Sequence, residues 1–116
     1  LGLCRSVHNI ASRARNGSIK ADELTGTTFS ITNFGVFGVS IGTPIINQPN
    51  VGILGIGAIK KQPVVIETVE GDSIAIRSIM MLTLGFDHRL IDGAGGSKFL
   101  ERVRYYLENI DLGDIR

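Results

Sequence analysis

The sequence predicts an α+β domain, a sandwich in which helices pack on a mostly antiparallel or mixed sheet. Three observations carry that expectation. Apolar residues recur at spacings of three and four only near the two ends of the chain. Between them lie stretches that alternate or run continuously apolar over lengths too short for good helices, and glycine or proline separates one stretch from the next.

Leu3, Val7, Ile10, Ala11 and Ala14 predict an amphipathic helix over 3–15 with one buried face, closed by Asn16-Gly17, which favours a left-handed cap. His8, among polar neighbours, reads as a solvated surface histidine. Residues 20–24, Lys-Ala-Asp-Glu-Leu, predict one more helical turn before Thr25-Gly26 breaks it. Thr27 to Asn33 predicts a half-buried strand, with Phe29 and Ile31 on one face and Thr28, Ser30 and Thr32 on the other. From Phe34 to Pro49 the glycines at 35, 38 and 42 and the prolines at 44 and 49 predict a long ordered loop. Its apolar Val36, Phe37, Val39, Ile45 and Ile46 imply packing on a partner surface, and so long a loop in a compact domain is usually functional.

Val51 to Ile59 is continuously apolar and predicts a central strand covered on both faces. Its glycines lack the G-x-G-x-x-G spacing, and Lys60-Lys61-Gln62-Pro63 follows where a helix would be needed, so a dinucleotide site is excluded. Val64 to Val69 and Ser73 to Phe86 predict two further strands joined through Glu70-Gly71-Asp72. The second is long. Ile74, Ile76, Ile79, Met81 and Leu84 do not keep one parity, which predicts a bulge near Ser78 or a change from one-sided to two-sided burial. Phe99, Leu100, Val103, Tyr106, Leu107 and Ile110 predict a helix from about 94 to 109, and Leu112 to Arg116 a tail. Four strands and two helices result. The chain opens in mid-pattern, with Leu1 and Leu3 already on a helical face, so the domain is expected to be incomplete at its start.

The 116 residues, 43% hydrophobic and 20% charged, suit one ordered globular domain. A net charge of +1 gives no basic stripe and no nucleic-acid partner. Cys4 alone excludes an intramolecular disulfide, suits a reducing compartment, and reads as a buried or half-buried thiol. No run approaches the roughly 18 apolar residues of a membrane span, and no signal-peptide pattern opens the chain.

The polar residues with most chemistry lie from Phe86 to Gly96, where strand pattern gives way to helix pattern. An imidazole of pKa about 6.5 lets His88 accept a proton near neutrality. Asp92, four residues on, either supports it or merely ties the loop together. A metal site needs more ligands than cluster here, and no G-x-S-x-G nucleophile elbow occurs. What remains is a histidine acting directly on a substrate's own nucleophile.

Asp87-His88-Arg89-Leu90-Ile91-Asp92-Gly93 resembles the D-H-R-x-x-D-G motif of the dihydrolipoamide acyltransferases, the E2 components of 2-oxo acid dehydrogenase complexes. The stretches Gly26 to Gly35 and Thr43 to Pro49 are similar to two further segments of that family, in the same order and at similar spacing. The resemblance assigns residues 1–116 to the carboxyl-terminal half of the catalytic domain, without the lipoyl and peripheral-subunit-binding domains. It implies a chloramphenicol-acetyltransferase-like two-layer sandwich, a mixed sheet with helices on one face.

The implied reaction moves an acyl group between dihydrolipoamide, its lipoate carried on a separate lipoyl domain, and coenzyme A. His88 would be the general base, Thr32 the hydroxyl that donates to the oxyanion, and Asp92 a support of the loop, often through an arginine. Thr32, Asn33, Gly57 and Ile59 would line the coenzyme A site, while Val36 replaces a small residue and loses a side-chain hydrogen bond. The resemblance also implies a homotrimer that shares each site between subunits and assembles into a larger core, with E1 and E3 components engaged through the missing domains. Lys60 and Lys61 suit either the coenzyme's phosphates or a solvated strand end. An acyltransferase of the same fold with another acceptor, and a non-catalytic scaffold relative, are the alternatives. The acyl group, acetyl, succinyl or branched, is left open, the fragment alone is expected to be poorly active, and the bacterial cytoplasm is preferred over the mitochondrial matrix.

Overall fold

A computed structural model describes residues 1–111 and Gly113. The tail expected from Leu112 onward therefore lies, Gly113 apart, outside the described residues. The chain divides into two compact units, Leu1–Thr27 with Glu101–Arg116, and Thr28–Leu100.

In the first unit α1 spans Gly2–Arg15. Gly17, at φ 66°, provides the left-handed stop expected of it. The Ser18 amide donates to the Arg13 carbonyl at 2.9 Å and the Gly17 amide to that of Ala14 at 3.2 Å, so two terminal carbonyls are satisfied. A single 3₁₀ turn, Ala21–Leu24, follows. Its Glu23 accepts the Lys20 amide at 3.0 Å and the Arg13 guanidinium at 2.7 Å. Those partners, the Lys20 amide foremost, hold the Glu23 carboxyl below its usual range. The expected burial of the α1 stripe is not met among the described residues: Leu3 is 82%, Val7 65% and Ile10 51% exposed. Cys4 is likewise exposed rather than buried.

The second unit holds five strands. β1 (Ser30–Asn33) pairs in parallel with β2 (Gly52–Ile56). β3 (Lys60–Thr68) and β4 (Gly71–Ile79) form an antiparallel ribbon, and β5 (Leu82–Phe86) returns antiparallel to β2. The main sheet is thus mixed, in the order β1-β2-β5. Central β2 is buried on both faces, with Ile53 at 7% and Leu54 at 8% exposure, a burial that stabilises by about 1.5–3 kcal/mol per side chain.

Two expectations need correction here. The run Ser73 to Phe86 is two strands, because the chain leaves the ribbon at Ile79, passes Met80 and Met81, and joins the main sheet at Leu82. The lost parity marks that change of sheet: mostly exposed β4 gives way to evenly half-buried β5, so the expected change in burial occurs and the bulge does not. The residues Lys60 to Pro63 are in β3 rather than a connection, since a two-stranded ribbon leaves each strand a free edge where proline removes no ladder bond.

On one face of the main sheet lies the start of α2 (Gly93–Glu108). Phe29 and Phe99 meet there at 5.8 Å between ring centres. They border an apolar cavity of about 330 Å³ with Leu84, Phe86, Ile91 and Gly96. Gly96 is buried because the Phe86 ring occupies the space a side chain would need. The segment after β1, with a 3₁₀ turn at Gly35–Phe37, covers the opposite face. Pro44 and Ile46 contact the sheet at Gly85, and the Ala58 amide donates to Val39 at 2.9 Å. Part of the loop thus packs on its own sheet, whereas Val36, Phe37 and Ile45 remain exposed.

Candidate active site

β5 ends at Phe86 and α2 starts at Gly93, so the residues between them turn sharply above the sheet. Asp87 anchors the turn. Its amide donates to the Val51 carbonyl at 2.9 Å, and its own carbonyl accepts the amides of Leu90 and Ile91, both at 3.0 Å. Its carboxylate accepts the Arg89 amide at 3.0 Å, Nε at 2.9 Å and Nη2 at 2.7 Å. The Arg89 guanidinium first, then its amide, lower the Asp87 carboxyl from 3.8 to about 2. The same pair raises Arg89.

His88 sits inside that turn, exposed, with its ring 5.6 Å from Phe86 and inclined by 33°. It has no hydrogen-bond partner among the described residues. The imidazole borders an open cavity of about 330 Å³ together with Ile46, Gln48, Asn50, Asp87 and Arg89. Asn50, 3% exposed, fixes one wall by donating through Nδ2 to Ser30 Oγ at 2.5 Å. A base with a free ring nitrogen beside an open cavity can take a proton from a ligand that enters it.

Among the described residues Asp92 does not pair with His88, nor does an arginine hold it. Its Oδ1 accepts the Gly95 amide at 2.6 Å and its carbonyl accepts that of Gly96 at 3.0 Å, the bonds of a helix N-cap. It secures the exit of the His88 turn.

Thr32 is half-buried in edge strand β1, in one row with Gly55 and Thr83. His88 lies five residues beyond Thr83, two strands away from Thr32. Ordinary strand spacing then separates the two by roughly 20 Å within the chain. Asn33 follows Thr32 and pairs with Ile56 of β2, after which Gly57 and Ile59 come in the chain. Asn33 Oδ1 accepts the Gly35 amide at 2.9 Å, and the Gly57 amide donates to Met81 at 2.9 Å. A side chain at Gly57 would collide with the Ser40 carbonyl. Ile59 is exposed. The structure therefore sorts the expected site residues into two groups, His88 with Asp92 at one end of the sheet and Thr32, Asn33, Gly57 and Ile59 at the other.

Sequence reasoning assigned no role to Asp87, Arg89, Gln48 or Asn50. An ion pair two residues apart in a turn has no periodic signature, and the wall formed by Gln48 and Asn50 depends on how the loop folds back. Among the described residues no cluster of three or more metal-ligating side chains forms, and no helix is long and apolar enough to cross a membrane.

Residues 1–113 match the model of the 2-oxoacid dehydrogenases acyltransferase (catalytic domain) family. The chain belongs to that family. The family relative from Mycobacterium tuberculosis, the dihydrolipoyllysine-residue acetyltransferase component of its pyruvate dehydrogenase complex, is 48% identical over 97% of the chain and 21% of its own length. Two family structures share the fold. The dihydrolipoamide acetyltransferase of Azotobacter vinelandii, in a study of the roles of a serine, a histidine and an asparagine in its catalytic mechanism, superposes with a TM-score of 0.83 at 34% identity. It matches over 94% of this chain and 43% of its own. The cubic core of a pyruvate dehydrogenase multienzyme complex gives 0.83 at 33% identity, over 94% and 43%. The chain thus spans about a fifth of the curated relative and under half of either solved one.

Proposed function

We propose that this chain supplies the carboxyl-terminal half of a catalytic domain that moves an acyl group between dihydrolipoamide and coenzyme A. The observation that carries the reading is the imidazole of His88, presented on a tightly bonded turn beside an open cavity. His88 takes the proton of the attacking thiol as its sulfur bonds to the thioester carbonyl carbon. Transfer concerted with attack spares the reaction from forming a full thiolate first. The carbonyl oxygen becomes an oxyanion and accepts a hydrogen bond from the Thr32 hydroxyl. Collapse breaks the other carbon–sulfur bond, and the departing thiolate recovers the proton from the imidazolium. No acyl-enzyme is required.

Thr32 and His88 stand too far apart to serve one site inside a chain, so each site takes its histidine from one copy and its hydroxyl from the next. A homotrimer meets that need, and the cubic core of the solved relative supports further assembly. Asp92 contributes by holding the turn. A serine, a histidine and an asparagine are the residues studied in the Azotobacter enzyme, which supports the triple Thr32, His88 and Asp92 here. At the Thr32 end Asn33, Gly57 and Ile59 border the coenzyme A path, Gly57 by lacking a side chain. Lipoate arrives on a lipoyl domain, E1 and E3 components join through other domains, and the bacterial relatives support the cytoplasm.

His88→Ala in the intact protein should lower coenzyme A-dependent acyl transfer by orders of magnitude while leaving assembly size unchanged. Steady-state turnover with dihydrolipoamide checks this, and near-normal rates would refute the assignment.

A further inference from the structure

The turn that carries His88 owes its shape to the residue before it. Every polar group of Asp87 is engaged: the amide on Val51, the carbonyl on Leu90 and Ile91, and the carboxylate on the amide, Nε and Nη2 of Arg89. His88, enclosed between these two partners, has no hydrogen bond of its own among the described residues and rests only against the Phe86 ring. The Arg89 side chain is 80% exposed, and an ion pair so open to water adds little stability. What a two-pronged guanidinium–carboxylate contact does supply is direction.

We infer that Asp87 is a positioning residue: its carboxylate, gripped by Arg89, fixes the turn that aims the His88 imidazole into the cavity, and it affects acyl transfer only through that imidazole. The inference rests on His88 being the base. Displacing a reacting group by about 1 Å can cost on the order of a hundredfold in rate. A carboxylate that never touches substrate can therefore govern kcat without governing binding.

The test uses the full-length assembled protein, with Asp87→Ala, Asp87→Asn and Arg89→Lys made alone and on a His88→Ala background. Asp87→Ala should lower kcat by roughly tenfold to a hundredfold with the KM for coenzyme A held within about twofold. Asp87→Asn, which keeps an acceptor for the Arg89 amide, and Arg89→Lys, which loses the fork, should fall less. On the His88→Ala background none should lower the residual rate further, because residues acting as one unit are non-additive. A crystal structure of Asp87→Ala should show the imidazole moved by about 1 Å or more in an unchanged sheet. Should that variant fail to assemble, Asp87→Asn carries the same comparison. Unchanged kcat, an equal loss on both backgrounds, or an undisplaced ring overturns the inference. If His88→Ala itself leaves transfer intact, the base assignment falls instead, and ring position alone then decides whether Asp87 positions His88.

Discussion

At the Phe86 end of the β1-β2-β5 sheet, backbone amides and carbonyls, an Asp87 carboxylate and a helix cap from Asp92 converge on a turn only a few residues long. At the Asn33 end the chain instead crosses itself, with Gly57 pressed against Ser40 and Gly35, and the hydroxyl of Thr32 stands on an open edge strand. One end presents an imidazole beside an open cavity; the other carries a hydroxyl near closely packed backbone. Their separation accords with the proposal that a site forms where two copies meet, and it lets each end be altered without touching the other.

The sharpest way to break that contrast, after His88→Ala, is at the Asn33 end. Thr32→Ala should lower turnover about a hundredfold, as removal of an oxyanion donor does, while Thr32→Ser stays near normal. A stopped-flow or steady-state assay decides it, and an equal loss in both variants would mean that shape rather than the hydroxyl matters.

Next in size is Gly96→Ala, whose new methyl meets the Phe86 ring that supports His88 from below. A loss of about 1–3 kcal/mol in denaturant unfolding is expected. Asp92→Ala removes the α2 cap and should cost about 1 kcal/mol, with Asp92→Asn milder; it tests whether Asp92 acts on fold more than on chemistry.

The smallest effect is one of pH. Because Asp87 is lowered from 3.8 to about 2 in the folded chain, its contribution is fully present above about pH 4 and fades as pH falls toward 2. The difference in melting temperature between the parent and Asp87→Asn should shrink over that interval. A difference that persists below pH 2 would remove the carboxylate from the explanation.

Much of the fold was legible because its signals are local. The period of Leu3, Val7 and Ile10 marks α1, the unbroken apolar run around Leu54 marks the central strand, and Gly17 and Gly93 stand where α1 stops and α2 starts. What escaped was set by partners distant in sequence. Nothing in Met80-Met81 announces that one ladder ends and another begins, and nothing in Lys60 to Pro63 reveals the ribbon that accepts them. The α1 stripe has an amphipathic period, yet it stays exposed among the described residues. At the site, the motif singled out His88, yet the grip of Arg89 on Asp87 and the wall supplied by Asn50 exist only once the turn is folded.

The claim that most needs testing is that His88 and Thr32 cooperate across copies. Subunits carrying His88→Ala and subunits carrying Thr32→Ala, each nearly inactive alone, can be co-assembled in equal amounts and assayed for acyl transfer. Random mixing into symmetric trimers should restore roughly a quarter of the parental turnover, since that share of sites receives an intact histidine and an intact hydroxyl. A mixture no more active than its two parents would contradict a shared site.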